Sequence, residues 1–283
     1  MSLFISSLNS GSNGNCYYFG NKEEAVLIDA GISCREIEKR MKLLSLDPAS
    51  LKAIFITHEH IDHISGLPTL VKKYRLPVYI TASTYRRTGF LFAKELIQPL
   101  TPFEPIQIGM LSITAFPKWH DAVDPHSVVI TCNGVTAGVF TDIGEPCKNV
   151  IHYFKQCHAA FLETNYDDDM LANGRYPVFL KNRISGKQGH LSNAQALQLF
   201  IAYRPSFMSH ILLSHLSKEN NSPALAEALF NKHAGNVTIV HAPRDKATAV
   251  YHITVVAGSV PLLPLSPVEN KKTGKAKSQL SLF

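Results

Sequence analysis

Three histidines and an aspartate crowd into six residues at His58, His60, Asp62 and His63, within Ile56-Thr57-His58-Glu59-His60-Ile61-Asp62-His63-Ile64-Ser65-Gly66. Imidazoles and a carboxylate at this density cannot be buried cheaply as ordinary polar groups, because each would need its own partner. A bound cation satisfies them together. Imidazole suits zinc, iron or manganese, and a mixed nitrogen and oxygen donor set points to a catalytic centre rather than a closed thiolate one. In extended chain His58, His60 and Asp62 fall on one side, because side chains alternate with a period of two, and a turn into a following helix re-aims His63. A surface loop that merely happens to be rich in histidine explains neither the spacing nor the setting.

That setting is a strand followed by a helix. Leu51 to Ile56 is an apolar run of strand length, and Leu67 to Tyr74 has helical apolar spacing. Loops between such elements hold ligand-binding side chains on a rigid frame. Other strand ends carry further candidates. Val26-Leu27-Ile28-Asp29-Ala30-Gly31 offers Asp29, which either caps a helix or orients ligating imidazoles, two compatible roles. Phe116-Pro117-Lys118-Trp119-His120-Asp121 offers His120, with His126 as its rival. Asp142 follows the strand ending Val139-Phe140-Thr141, where it either caps a helix or bridges two cations. His215 ends Ile211-Leu212-Leu213-Ser214. His190, in Gly189-His190-Leu191-Ser192-Asn193, either supports a helix cap or faces the metals.

Along the rest of the chain, residues 3 to 30 read as three short strands, the first two joined by Ser10-Gly11-Ser12-Asn13-Gly14-Asn15. That loop is first a tight turn of residues that tolerate positive φ, and second a set of backbone N–H groups able to take a phosphate. Helical spacing recurs at 34–44, 84–96, 194–203 and 223–230, with Ser192 or Asn193 capping the third. Strands are expected at 111–115, 127–131, 135–141, 159–162, 206–214, 237–240 and 251–256, with a hairpin at Asn133-Gly134. Both halves pair strands with helices, which predicts an α/β fold, a four-layer αββα sandwich over residues 1–260. Residues 261–283 are Pro-rich and then basic, a tail expected to be disordered, and finish in Gln279-Leu280-Ser281-Leu282-Phe283.

With 45% apolar residues among 283, the chain can bury a sizeable core. The formal charge of +6 suits a polyanionic partner without requiring one. Five scattered cysteines with no C-x-x-C pair exclude a disulfide framework and suggest reduced thiols in the cytoplasm. No secretory leader or membrane-length apolar run is visible, so no membrane partner is expected. Nothing in the sequence sets an oligomeric state.

The H-x-H-x-D-H stretch, with Asp29, His120, Asp142 and His215 in that order, resembles the metallo-β-lactamase superfamily. The Ser10–Asn15 loop, Glu163-Thr164-Asn165-Tyr166-Asp167 and the Gly189 to Asn193 stretch resemble its YycJ/WalJ-like single-domain nuclease branch, over about residues 1–258. The resemblance implies a metal-dependent phosphodiesterase, foremost a DNA exonuclease, using two divalent ions, zinc or manganese. By it, His58, His60 and His120 hold one ion, Asp62, His63 and His215 the other, Asp142 bridges them, and Asp29 orients. It prefers His120 over His126, because His120-Asp121-Ala122 followed by Asp124-Pro125 matches the family stretch. Two cations roughly 3.5–4 Å apart lower the pKa of a shared water and stabilise an in-line phosphoryl transition state. Asp62 would orient or deprotonate that water, and His190 would donate to a phosphate oxygen or the leaving group. Lys118, Arg183, Lys187 and Lys218 lie near the motifs in sequence as a basic path for a nucleic-acid backbone.

Two other functions fit less well. One is another hydrolase on this fold, acting on a thioester, a lactone, a small phosphodiester or RNA. The other is a non-catalytic binding module, disfavoured because all seven ligand positions are filled. Gln279, Leu280, Ser281, Leu282 and Phe283 match, position by position, the Q-L-[SD]-L-F motif by which bacterial replication and repair proteins bind the β sliding clamp. That resemblance implies clamp-directed recruitment to DNA in replication or repair.

Overall fold

Val26 and Ile28 pack into one apolar cluster while their neighbours Ala25 and Leu27 pack into another. A strand buried on both faces needs a layer on each side. That is the architecture of the computed structural model, which describes residues 2–255. In chain order the first half comprises β1 (Leu3–Asn9), β2 (Cys16–Gly20), β3 (Ala25–Ile28), α1 (Cys34–Leu43), β4 (Leu51–Phe55), α2 (Ile61–Ile64), α3 (Leu67–Tyr74), β5 (Val78–Ile80), α4 (Ala82–Thr88) and β6 (Ile97–Pro99). The second comprises β7 (Ile106–Ile108), β8 (Leu111–Pro117), β9 (His126–Cys132), β10 (Val135–Phe140), α5 (Lys148–Phe154), β11 (Ala159–Glu163), α6 (Asp168–Asn173), α7 (Val178–Ile184), α8 (Asn193–Tyr203), β12 (His210–Ser214), α9 (Pro223–Asn231), β13 (Thr238–His241) and β14 (Tyr251–Ile253).

Among the described residues the strands form two seven-stranded sheets, ordered β14-β1-β2-β3-β4-β5-β6 and β13-β12-β11-β10-β9-β8-β7. Each is antiparallel in one half and parallel in the other, the parallel runs being β3 to β6 and β10 to β13. The sheets meet face to face over Ile5, Phe19, Phe55, Ile113, Ile130 and Phe161. Tyr17 and Phe19 reach across to Phe161, with ring centroids 4.8 and 5.7 Å away. Ile37 and Met41 of α1 and Leu70 of α3 cover the outside of the first sheet. Phe154 of α5, Phe200 of α8 and Phe230 of α9 cover the second. The fold is thus an α/β sandwich, helices outside and two mixed sheets within.

The helix expected over 84–96 is instead α4, begun earlier by the Thr81 cap, whose Oγ1 accepts from the Thr84 N–H, and ended at Gly89 in the left-handed region. The chain then turns outward, and only a 3₁₀ turn, Lys94–Leu96, follows. The strand expected from Ser206 is formed only from His210, after a turn closed by Met208 N–H on the Pro205 carbonyl. Val256, the tail 261–283 and its pentapeptide lie outside the described residues.

The chain from His58 to Asp62 is not extended throughout. His60 ends the extended part (φ −61°, ψ 144°), and α2 begins at once with Ile61. His58 and His60 therefore keep the period-two alternation, while the helical turn carries Asp62 and His63 elsewhere. Gly31 lets this turn pack against the end of β3: a Cβ there would lie 1.6 Å from the Asp62 carbonyl oxygen. Gly31→Ala should cost about 3 kcal/mol or more in denaturant unfolding, or abolish soluble expression. A variant within about 0.5 kcal/mol of the parent, the range of ordinary surface substitutions, would show that this approach is not needed.

Candidate metal centre

The site lies at the carboxyl ends of β3, β4, β8, β10, β11 and β12, the usual place for ligands in open α/β sheets. Three residues just past these strands have left-handed backbone: Asp29 (φ 62°), Asp142 (φ 55°) and His215 (φ 57°). Such strain in non-glycine residues gathers where side-chain direction matters more than local comfort. Here it turns three polar side chains inward at strand ends.

Donor atoms of His58, His60 and His120 lie within 4.8 Å of one another, and so do those of Asp62, His63 and His215. Asp142 groups with His58 and His63 on one side, and with Glu163, His190 and His215 on the other. Asp142 is buried. Its Oδ2 lies 3.3 Å from His63 Nε2 and its Oδ1 3.5 Å from His215 Nε2.

Each buried ring is aimed by a partner on its other nitrogen. Asp29 Oδ2 accepts from His63 Nδ1 at 2.7 Å and from Thr57 Oγ1 at 2.8 Å, and Oδ1 accepts from the Thr57 N–H. Thr57 Oγ1, having given its proton to Asp29, accepts from His58 Nδ1 at 2.9 Å. That leaves His58 Nε2 bare, buried and without a hydrogen-bond partner. His120 Nδ1 donates to the Gly189 carbonyl at 3.0 Å, so its Nε2 faces the cluster, 3.3 Å from His60 Nδ1. Asn15 Nδ2 donates to Asp62 Oδ2 at 3.1 Å, and the Asn15 N–H holds the Asp62 carbonyl at 2.7 Å. In the Ser10–Asn15 loop, the N–H groups of Ser10, Gly11, Gly14 and Asn15 are all spent on protein acceptors, so the loop acts as a turn that clamps α2.

Glu163, at the end of β11, is given no chemical role by the sequence beyond its place in the Glu163 to Asp167 stretch. It is fully buried and takes four donors: His190 Nδ1 at 2.7 Å, His215 Nδ1 at 3.1 Å, and the N–H groups of Ile143 and Leu191 at 2.8 and 3.2 Å. Its sequence signal was its place at the end of the strand between those bearing Asp142 and His215. His190 is partly exposed above this carboxylate, with Nε2 left to face a ligand. Asp121 was also passed over. Its Oδ1 lies 3.4 Å from His120 Nε2 and 4.0 Å from His60 Nε2. His126 is buried away from every cluster, its Nδ1 donating to the Asp124 carbonyl at 2.8 Å. Lys118 is no part of a surface path, because it is buried and its Nζ donates to the Thr141 carbonyl at 2.7 Å.

Electrostatics divides the rings into two kinds. Burial pushes His58 well below the ordinary histidine value and His120 down to about 3, so both are neutral and ready to bind metal. Burial acts the same way on His63 and His215, but the carboxylates around them outweigh it. Asp142, Asp29 and Asp62 lift His63 well above its usual value, and Asp142, Asp62 and Glu163 lift His215 to about 10. Burial alone would raise Asp142, yet His215, His63 and Lys118 hold it well below the carboxylate range. The donor set fits divalent cations: His58 Nε2 and Asp142 Oδ2 are both buried without a hydrogen-bond partner, and the unprotonated His58 Nε2 keeps a lone pair that no neighbouring donor takes.

A family model described as the metallo-beta-lactamase superfamily matches residues 10–168. The chain belongs to that superfamily. Within it, the chain is 34% identical over 229 residues to the exodeoxyribonuclease YycJ of Bacillus anthracis, covering 80% of this chain and 87% of the relative. It is 32% identical over 232 residues to the exodeoxyribonuclease WalJ of Streptococcus pneumoniae serotype 2, covering 78% and 84%. Among solved structures, the metallo-beta-lactamase fold protein YhfI of Bacillus subtilis superposes with a TM-score of 0.67 at 18% identity, over 88% of this chain and 99% of that one. Members of the superfamily bind divalent metals at histidine and aspartate clusters of this kind.

Proton release should distinguish the two clusters. In metal-free protein at neutral pH, His63 and His215 carry protons that an incoming cation must displace, whereas His58 and His120 carry none. Calorimetry of zinc binding in buffers of different ionisation enthalpy should therefore show about two protons released, both from the Asp62, His63 and His215 cluster. Affinity at that cluster should rise from pH 6 to pH 8, by up to about tenfold per proton per unit. Binding with no proton release and no pH dependence would refute the charge assignment.

Proposed function

We propose that the chain is a metal-dependent exonuclease that hydrolyses DNA, and that His58, His60 and His120 hold one divalent ion and Asp62, His63 and His215 the second, with Asp142 serving both. The observation that carries this reading is the pair of donor clusters sharing Asp142, on a chain about one-third identical to two exodeoxyribonucleases. Zinc or manganese ions there would supply an activated water and positive charge for a phosphoryl transition state. Asp62, held by Asn15, would accept a proton from an attacking water. Glu163 fixes His190 with Nδ1 protonated and holds compensating charge beside it, so that Nε2 can protonate the departing oxygen or bind a phosphate oxygen. Asp29 keeps His63 in register directly and His58 through Thr57.

The direct test incubates purified protein with 5′- and 3′-labelled DNA and RNA, with manganese, zinc or chelator. Stepwise release of nucleotides from DNA, abolished by chelator, is expected. Untouched DNA, with turnover of RNA, a thioester or a lactone instead, would overturn the assignment. Within the site, His60→Ala should abolish hydrolysis. His190→Ala should lower kcat by about 10²–10⁴-fold while two metal equivalents remain by elemental analysis. Loss of metal in step with activity would make His190 a ligand or a structural residue.

Recruitment by the β sliding clamp belongs to the same proposal, with residues 1–260 as the hydrolase and 261–283 as the tether. Its support is the match of Gln279, Leu280, Ser281, Leu282 and Phe283 to the clamp-binding motif. In a hydrophobic cleft Leu280, Leu282 and Phe283 would supply apolar anchors and Gln279 the orienting hydrogen bonds. Micromolar binding, about −8 kcal/mol, would suffice to raise the concentration of the nuclease at DNA encircled by the clamp. A cytoplasmic location agrees with five free cysteines and with the finding that no helix among the described residues is long and apolar enough to cross a membrane. Fluorescence anisotropy should find clamp binding by the full chain that is lost on removing residues 279–283. Equal binding by both, or by neither, would remove the clamp from the account.

A further inference from the structure

Beside the metal clusters lies a cleft of about 570 Å³, bounded by Trp119 and Asp121 on one side and by Arg183, Lys187, Gln188 and Gly189 on the other. Two of its lining residues touch the metal cluster. Asp121 lies 3.4 Å from His120 Nε2, and Gly189 accepts the hydrogen bond that aims His120. We propose that this cleft takes a nucleotide of a single DNA strand, and that Trp119 is the platform on which its base stacks. The proposal rests on the nuclease reading and adds to it the form of the substrate.

Trp119 is 50% exposed, although its chain neighbours Lys118 and His120 are only 5% and 4% exposed. Its backbone does not wander, because its carbonyl accepts the Gly144 N–H at 2.9 Å. The indole is therefore carried on a fixed stretch of backbone beside the donor clusters, with no aromatic or cationic partner over its face among the described residues. Exposure alone would say little, since single apolar side chains such as Leu91 and Phe179 are more exposed still; what sets Trp119 apart is that it lines the cleft next to His120. Phosphate alone would not need it. Every base presents a π-face to an aromatic ring, whereas bases inside a duplex already have theirs covered by neighbours, so the platform selects unpaired strands.

The charges of the cleft agree. Arg183 Nε pairs with Asp121 Oδ2 at 2.5 Å, cancelling the one carboxylate that would repel a polyanion. Lys187 is exposed and has no carboxylate partner among the described residues, so it is left for a backbone phosphate. The volume suits a nucleotide-sized ligand rather than a double helix.

Trp119 is the one tryptophan in the sequence, so its emission reports on the cleft directly. The full chain in EDTA is titrated with a fluorescently labelled oligodeoxythymidylate and with an abasic oligomer of the same length. Label anisotropy reports binding, and tryptophan emission, measured on unlabelled oligomers, reports stacking. The thymidylate should quench emission in step with binding, and the abasic oligomer should bind without quenching. In metal-replete protein Trp119→Ala should raise KM on single strands about tenfold, a loss falling on KM rather than kcat, and Trp119→Phe should recover most of it. If the thymidylate binds and is hydrolysed while emission stays constant, if the abasic oligomer quenches equally, or if Trp119→Ala leaves KM unchanged, the stacking role is wrong and the nuclease reading survives. If the unmodified protein neither binds nor hydrolyses DNA, the nuclease reading fails and this proposal fails with it.

Discussion

The buried carboxylate of Asp142 is the group around which this end of the molecule is built. Two imidazoles, His63 and His215, and a buried ammonium, Lys118, hold it ionised against the cost of burial. One of its oxygens still has no hydrogen-bond partner. A lone carboxylate in this position would be strongly destabilising. Held by imidazoles that other carboxylates orient, it sits instead where the two donor clusters meet. Asp29 and Glu163 perform the same service one step further out, each fixing ring nitrogens from behind so that the opposite nitrogens converge.

The two sheets make this convergence possible. The carboxyl ends of β3 and β4 in one sheet carry Asp29 and the His58 to His63 stretch, and those of β8, β10, β11 and β12 in the other carry His120, Asp142, Glu163 and His215. Backbone strain at Asp29, Asp142 and His215 then turns the side chains across the gap. The break from extended chain to helix after His60 divides one short sequence between two clusters: His58 and His60 join His120, and Asp62 and His63 join His215. Tight packing fixes the break in place, since Gly31 leaves room for the Asp62 carbonyl and Asn15 ties it down.

Much of this was legible before any coordinates because the informative signals are local. The H-x-H-x-D-H spacing, the apolar runs that end in Asp29, Asp142 and His215, and the Asn133-Gly134 turn each declare themselves within a few residues. What was not legible depends on distance in the fold. Glu163 matters because residues 190 and 215 arrive beside it, and Asp121 because α7 brings Arg183 to meet it. Lys118 looked like a surface cation by its neighbours in sequence, yet the Thr141 carbonyl takes it inside. The helix extrapolated to Leu96 failed for a local reason, the glycine stop at position 89, which the apolar spacing beyond it concealed.

We propose one dinuclear centre here, not a single metal site with a structural carboxylate. Anomalous scattering from crystals of protein loaded with zinc or manganese tests it most directly. A dinuclear centre gives two peaks about 3.5–4 Å apart, one against His58, His60 and His120, the other against Asp62, His63 and His215, with Asp142 in contact with both. A single peak in metal-replete crystals, or a second peak seated on Glu163 and His190 away from Asp62 and His63, would contradict it.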